Sequence, residues 1–328
     1  MTNGKKNRTR AARETAFALA LTATAGLVAS AHAAKAETFI NILTGGTSGV
    51  YYPMGVALSK IYTDKVKDVR PSVQSTKASV ENLNLLQRGR GEVALTLGDS
   101  LKAAWAGDAQ AGFKSKLDKL RVISAFYPNY VQIVALKSSG VKTLADLKGK
   151  RLSVGAARSG TELNARAIFA AAGMTYKDLS KAEYLPFGES VELMKNRQLD
   201  ATLQSAGLGV ASIRDLANSV EITVVDVPGA LVDKIGPPFV KATIPANTYK
   251  GQTDAAQTAA VVNFLATRST LKDEIVYQLT KAMWENVGTL AAAHAVGKLV
   301  KLENATKGSP VPFHPGAVRY YKEKGLMK

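Results

Sequence analysis

The sequence predicts an α/β protein built as two lobes around a cleft. Three observations predict it. Beyond residue 37, short apolar strands alternate with helices, the order that builds mostly parallel sheets through right-handed crossovers. One unit recurs in both halves of the chain: a strand that breaks into a small polar loop and then a helix. The roughly 290 residues that follow an N-terminal leader also exceed the ~100–200 of a usual domain.

The leader has the three parts of a secretory signal. Lys5, Lys6, Arg8, Arg10 and Arg13 come first, an apolar core runs from Ala16 to Val28, and small residues close it. Ala34-Lys35-Ala36 offers cleavage before Glu37, with Ala31-His32-Ala33 as a second choice. Residues 1–36 therefore read as a signal peptide whose core is too short, and too rich in Ala and Thr, for a permanent span. The chain has no cysteine, which excludes a lipid-modified N-terminal cysteine and any disulfide. The expected product is soluble and periplasmic. Its formal charge is +17, and removing residues 1–36 takes away six Lys/Arg and one Asp/Glu, leaving +12. The basic residues are scattered and interleaved with acids, as in Lys116-Leu-Asp-Lys119. No compact basic run carries aromatics, so nucleic acid is not expected as a partner.

The first unit is the best defined. Phe39-Ile-Asn-Ile-Leu43 is a strand, 44–49 a glycine-rich loop, and Met54, Ala57, Leu58, Ile61 and Tyr62 form one apolar stripe at helical spacing. Pro53 suits a first turn, where a missing N–H costs nothing. Gly45, Gly46 and Gly49 free the backbone to aim successive N–H groups at one spot before the helix, a place that attracts anions. The loop matches neither G-x-G-x-x-G nor the P-loop pattern and has no lysine beside it, which disfavours nucleotides. An ordinary glycine-rich turn is the other reading.

The plan then repeats. Residues 72–76 form a strand entering a polar loop, Ser79 is an N-cap, and Val80, Leu83 and Leu86 mark the helix face. Residues 93–97 are the third strand, ending in Gly98-Asp99-Ser100 before a helix through Trp105. Residues 120–126 and 131–136 read as two strands meeting at Pro128, a passage between lobes. Residues 151–155 lead through a small polar loop into a helix carrying Leu163, Ala167, Ala170 and Ala171, with Ser159-x-x-Glu162 as a capping box. The apolar run 184–187 precedes a helix with Val191, Leu193 and Met194. Residues 199–205 are a strand, followed after Gly209 by a helix with Ile213 and Leu216. Residues 221–227 are a strand, 235–245 hold the return crossing, 257–267 are a buried strand and 273–293 one long helix. A short helix through Tyr320 and Tyr321 ends the chain. Lobe I is thus 37–128 with 243–328, and lobe II is 129–242. Ligands of open α/β sheets sit beyond the carboxyl ends of the strands. The loops near 44–52, 75–82, 156–164 and 204–209 are therefore expected to line one cleft.

Catalysis is not expected. With His32 in the leader, His294 lies in an alanine-rich helix and His314 between prolines, and neither sits beside a loop serine. There is no G-x-S-x-G elbow. Without cysteine or a His pair at ligand spacing, neither zinc nor another metal is expected, and no cofactor is implied.

Taken together, these residues resemble a known family, the TAXI-type solute-binding proteins of TRAP transporters. The resemblance rests on Thr44-Gly-Gly-Thr-Ser-Gly-Val-Tyr-Tyr-Pro53, Gln74-Ser-Thr76 with Ser79-Val-Glu-Asn82, Tyr127-Pro128, Ser153-Val-Gly155 with Ser159-Gly-Thr-Glu162, Thr243-Ile-Pro-Ala-Asn-Thr-Tyr-Lys250 and His314-Pro-Gly-Ala317. It covers essentially the whole mature chain. It implies the type II periplasmic-binding-protein fold and a monomeric exported receptor for a small anionic or zwitterionic solute. The solute implied is an organic acid or amino acid such as glutamate, glutamine or 2-oxoglutarate, delivered to a sodium-coupled TRAP membrane permease. A receptor that hands its closed form to a two-component kinase is the alternative use.

By the same resemblance, Gly46, Thr47 and Ser48 offer donors to a carboxylate and Tyr51 walls the pocket. Ser75, Ser79 and Asn82 continue the lining. On the other lobe Ser159, Gly160 and Thr161 make a second anion nest with Arg158 as its cation, while Gln204 and Ser205 read the far end of the ligand. Tyr127 and Asp99 complete the set. Many relatives carry Gln-Ser-Asp where this chain has Leu97-Gly98-Asp99, a departure that leaves the ligand open. Ser79 and Ser159 have the alternative role of capping helices, Arg158 that of a solvated charge, and Tyr51 that of a core residue.

Overall fold

The structure, a computed structural model, describes residues 37–328, and the export signal expected over 1–36 lies outside the described residues. β1 (Thr38–Leu43) is followed by α1 (Tyr51–Lys65), whose stripe Met54, Ala57, Leu58, Ile61 and Tyr62 is buried throughout. Then come β2 (Val69–Gln74), α2 (Ser79–Gln87) and β3 (Val93–Leu97), which runs without a loop into α3 (Gly98–Ala106). β3 is buried along its whole length, as a strand with neighbours on both edges and helices on its faces must be. β4 (Leu120–Leu136), β5 (Arg151–Ser153), α4 (Gly160–Ala171), β6 (Lys181–Glu183), α5 (Phe187–Lys195), β7 (Ala201–Ala206) and α6 (Ala211–Ser219) repeat the plan. β8 (Ile222–Val225), α7 (Gly229–Ile235), β9 (Val240–Ile244) and β10 (Ala256–Arg268) follow. The chain closes with α8 (Asp273–Glu285), α9 (Val287–Ala293) and α10 (Pro315–Glu323).

The sheet is ordered β2-β1-β3-β10-β4-β7-β5-β6, with β8 on β4 and β9 on β10. Each end is a parallel triplet with its first strand in the middle: β2-β1-β3 on one side and β6-β5-β7 on the other. The long antiparallel pair β4 and β10 joins the triplets, β10 lying against β3 and β4 against β7. Two α/β halves therefore share a central ribbon, and the helices after each triplet strand start at corresponding strand ends.

Three expectations are corrected here. The two strands predicted to meet at Pro128 are one strand, β4, in which Pro128 stands opposite Val262. A register shift between Val262 and Phe264 falls beside that proline, an irregularity that accommodates a residue unable to donate to the ladder. β10 bridges the two sides of the sheet: Ala256–Ala260 pairs with β9, and Asn263–Ala266 pairs with β3. The single helix over 273–293 is broken at Asn286, whose backbone leaves the helical region (φ −129°) while its side-chain amide donates to the Ala282 carbonyl at 2.8 Å. Finally, Ser79 is not an N-cap. Ala78 holds that position, and the Ser79 hydroxyl accepts from the Leu97 N–H at 3.1 Å, tying α2 to the end of β3.

Candidate functional site

A cavity of about 350 Å³ opens where the two triplets face one another. Each triplet strand sends residues to its wall. From the first half come Gly45 to Tyr51 after β1, Ser75 to Ser79 after β2, and Leu97 at the end of β3. From the second come Ala156 and Ser159 to Thr161 after β5, Pro186 to Glu189 after β6, and Ser205 and Ala206 at the end of β7. The strand-end rule thus holds six times over. The loop after β6 escaped the sequence reading, because the apolar run 184–187 resembles a strand end, whereas Phe187 opens α5.

The floor is a buried hydrogen-bond chain. The Tyr51 hydroxyl donates to Asn263 Oδ1, and Asn263 Nδ2 donates to Asn129 Oδ1 at 2.7 Å and to the Tyr127 carbonyl at 2.8 Å. Asn129 Nδ2 in turn donates to the Ser205 carbonyl at 2.9 Å. The chain runs from α1 through β10 and β4 to β7, so it couples both halves beneath the cavity. Burial pushes the Tyr51 phenol up, keeping it neutral and a donor. Asn263 and Asn129 carry no sequence signal for this role; only the pairing of β10 with β4 brings them together.

Helix N-termini converge on the space. α1 begins at Val50, α2 at Ala78 and α5 at Pro186, none of which supplies a side-chain cap. First-turn N–H groups of an uncapped helix have no partner within it, and with the helix dipole they attract negative charge. Ala78 sits at φ 71° and ψ −147°, a region that a side chain normally avoids, here in the cavity wall. α4 differs. Ser159 Oγ accepts from the Glu162 N–H at 3.1 Å, and the Glu162 side chain turns away to Arg166 at 2.6 Å, so half of the predicted capping box forms.

Of the residues expected to hold a ligand, Gly46, Thr47, Ser48, Tyr51, Ser75, Ser79, Ser159, Gly160, Thr161 and Ser205 line the cavity. Five expected residues lie outside its lining. Asn82 is wholly buried, its amide nitrogen held by the Thr44 and Leu95 carbonyls and its oxygen by Thr76. Gln204 faces α6, where its Oε1 accepts from Ser212 at 2.6 Å. Tyr127 is fully buried in the core. Arg158 is exposed at φ 64°, and its carbonyl accepts from the Glu81 N–H at 3.3 Å. Asp99 binds Asn164. The cation in the wall is Lys77, on a loop the sequence marks, and the acid is Glu189 on α5. Ser205 lines the cavity, is 5% exposed, and has a buried hydroxyl without a protein partner.

The halves also touch around the rim. A Cβ on Gly160 would stand 2.7 Å from Leu97 Cδ1 and Ser79 Oγ, and one on Gly188 3.3 Å from Ser48 Oγ. Arg166 reaches the Gln110 carbonyl at 2.7 Å, and Asn164 Nδ2 reaches Asp99 Oδ2 at 2.7 Å. Neither histidine lines the cavity: His314 Nδ1 accepts from the Gly316 N–H as the cap of α10, and His294 Nδ1 accepts from the Val296 N–H.

Comparison with known proteins accords with this architecture. A family described as NMT1-like matches residues 42–325. Among solved structures, PhnD1 from Prochlorococcus marinus in complex with methylphosphonate aligns at a TM-score of 0.58 and 10% identity, covering 89% of this chain and 100% of its own. The binding protein component of an ABC phosphonate transporter from Pseudomonas aeruginosa aligns at 0.52 and 11% identity over 79% of each chain. A protein from Bordetella bronchiseptica RB50 aligns at 0.51 and 16%, covering 89% of this chain and 90% of its own. The likeness is one of fold: two α/β lobes around a ligand cleft, the type II periplasmic-binding-protein architecture.

Proposed function

The chain belongs to the NMT1-like family, and from that premise we propose that it is an exported receptor that captures a small anionic or zwitterionic solute between its lobes and passes it to a membrane permease. The observation that carries this reading is the meeting of uncapped helix starts from both halves around one cavity, with the unpaired hydroxyl of Ser205 in its wall. Backbone N–H groups and the hydroxyls of Thr47, Ser48 and Ser205 would hold a carboxylate or a similar oxyanion. Lys77 and Glu189 supply one charge of each sign, a balance that favours an amino acid or a monoanion over a polyanion.

Within that class, the motif from Thr44 to Pro53 favours a TAXI-type receptor of a TRAP transporter, its ligand an acid such as glutamate, glutamine or 2-oxoglutarate and its partner a sodium-coupled permease. The lobes would divide along the central ribbon, 37–130 with 262–328 against 131–261, in keeping with the pairing of β4 and β10. Residues 1–36 would direct the chain to the periplasm and be removed there. No catalytic role is assigned, because the cleft brings no histidine to its serines.

A thermal-shift screen of L-glutamate, L-glutamine, 2-oxoglutarate and methylphosphonate, followed by calorimetry, tests the reading. One of the carboxylates should raise the melting temperature and bind one molecule per chain. Methylphosphonate is included because PhnD1 holds it; a shift with that compound alone would move the assignment from the TAXI type to a phosphonate receptor. Turnover of any bound compound would overturn the receptor reading.

A further inference from the structure

Behind the Leu97 wall, the two halves meet through a pair of side chains outside the cavity lining. Asn164 of α4 donates from Nδ2 to Asp99 Oδ2 of α3 at 2.7 Å. The remaining oxygen of each group, Asp99 Oδ1 and Asn164 Oδ1, is buried and meets no donor. The neighbouring Ser100 hydroxyl is also buried and makes no bond to either. An unpaired carboxylate oxygen and an unpaired amide oxygen at one contact are each costly to keep dry. A single proton on Asp99 satisfies both, because a carboxylic acid and a primary amide form two complementary bonds, N–H to O and O–H to O.

We propose that Asp99 and Asn164 form a proton-dependent latch between the lobes: closure takes up one proton on Asp99, which then donates to Asn164 Oδ1. The surroundings supply no countercharge that would keep the carboxylate ionised. On α3 itself, Lys102 is exposed and extends to the Pro237 carbonyl. On α2, Glu81 accepts from the Lys77 N–H. On α4, Glu162 and Arg166 neutralise one another at 2.6 Å. On β10, Arg268 pairs with Glu92 at 2.9 Å. From α1 the Tyr51 phenol, itself neutral, faces the acid. Burial pushes Asp99 up to about 7, against the lowering effect of the first backbone amides of α3 and of the Asn164 amide.

The direction of the linkage follows. In an open form Asp99 is solvated and titrates near ~4, whereas in the closed form it titrates near 7. The contribution to closure is complete below the open-form value, declines as pH rises between the two, and is gone above the closed-form value. Acid therefore favours the shut receptor and alkali the open one. The proposal rests on the two-lobe fold and on no ligand, so it stands or falls separately from the solute assignment.

Asp99→Asn tests it, since an asparagine reproduces the protonated acid as a donor and acceptor at every pH. At pH 8.5 the variant should melt about 2–4 °C or more above the wild type, and at pH 5.5 the difference should shrink. The chain has no cysteine, so spin labels on cysteines replacing the exposed Lys114 and Lys177, one in each half, report closure directly. The closed population should grow on acidification in the wild type and stay constant in Asp99→Asn. Melting of Asp99→Asn below the wild type at both pH values, or label distances in the wild type that ignore pH, would overturn the latch. Should Asp99→Asn fail to fold, carbon-13 NMR of aspartate-labelled wild type decides the matter. One carboxyl with a midpoint near neutrality supports the latch, and midpoints all below pH 5 refute it.

Discussion

The two halves of the sheet follow one plan but finish their leading helices differently. β1 and β5 are the central strands of their triplets, and the loop after each lines the cavity. After β1 the helix begins at Val50, and no side chain caps its first N–H groups. After β5 the helix begins at Ser159, which accepts from the Glu162 N–H, and Glu162 is bound to Arg166. That second helix turns its remaining groups on the opposite half: Gly160 against Leu97 and Ser79, Asn164 on Asp99, Arg166 on the Gln110 carbonyl. On the proposed function, this difference would divide the roles, the first lobe gripping the solute and α4 of the second shutting over it.

The sharpest way to break the comparison is at Gly160. A methyl there overlaps Leu97 Cδ1, Ser79 Oγ and Ser100 Oγ at 2.7–2.9 Å, all from the facing half. Gly160→Ala should therefore weaken solute binding by about 3 kcal/mol by calorimetry, with a smaller change in the stability of the unliganded protein. Unaltered affinity would mean that α4 does not close the site. On the gripping side, Thr47→Ala with Ser48→Ala should weaken binding by about 2 kcal/mol, the worth of hydrogen bonds to a charged group. The expected effect on melting is small, since Thr47 is exposed and Ser48 partly so.

Ser159→Ala sharpens the contrast from the other side. It removes a helix cap and should lower stability by about 1 kcal/mol in denaturant titrations, while affinity falls less than in the Thr47 and Ser48 double variant. The opposite order would exchange the two roles. Smallest of all, Ser205→Ala removes a hydroxyl without a protein partner. Affinity should drop by ~0.5–1.5 kcal/mol and the melting temperature of the free protein should hold or rise. A clear loss of stability would mean that Ser205 has a structural bond and is not reserved for the guest.

Much of this was legible in the sequence where local rules operate. The stripe of α1 is buried residue by residue as its spacing implies, and the Ser159 cap forms because a serine three residues before an acid suits a helix start. The loops after β1, β2 and β5 read correctly as cavity wall because Gly, Ser and Thr concentrate there. What could not be read depends on neighbours remote in the chain. Asn82 and Gln204 look like ligand groups by type, yet Asn82 is held on both amide atoms by Thr44, Leu95 and Thr76, and the Gln204 oxygen accepts from Ser212 on α6. Arg158 lies two residues from Gly160 but outside the cavity lining, so the wall's cation is Lys77 instead. Phe187 and Glu189 were hidden because an apolar run before a helix has the same pattern as a strand end. The irregularity opposite Pro128 belongs to β10, and nothing local to the proline announces that β4 continues through it.

Hydrogen–deuterium exchange, with and without whichever screened acid raises the melting temperature most, tests the central claim directly. The account predicts that binding protects amides in both halves together, at 46–51 and 77–81 on the gripping lobe and at 158–162 and 187–190 on the closing one. Protection confined to one half, or none with L-glutamate, L-glutamine, 2-oxoglutarate or methylphosphonate, would contradict it.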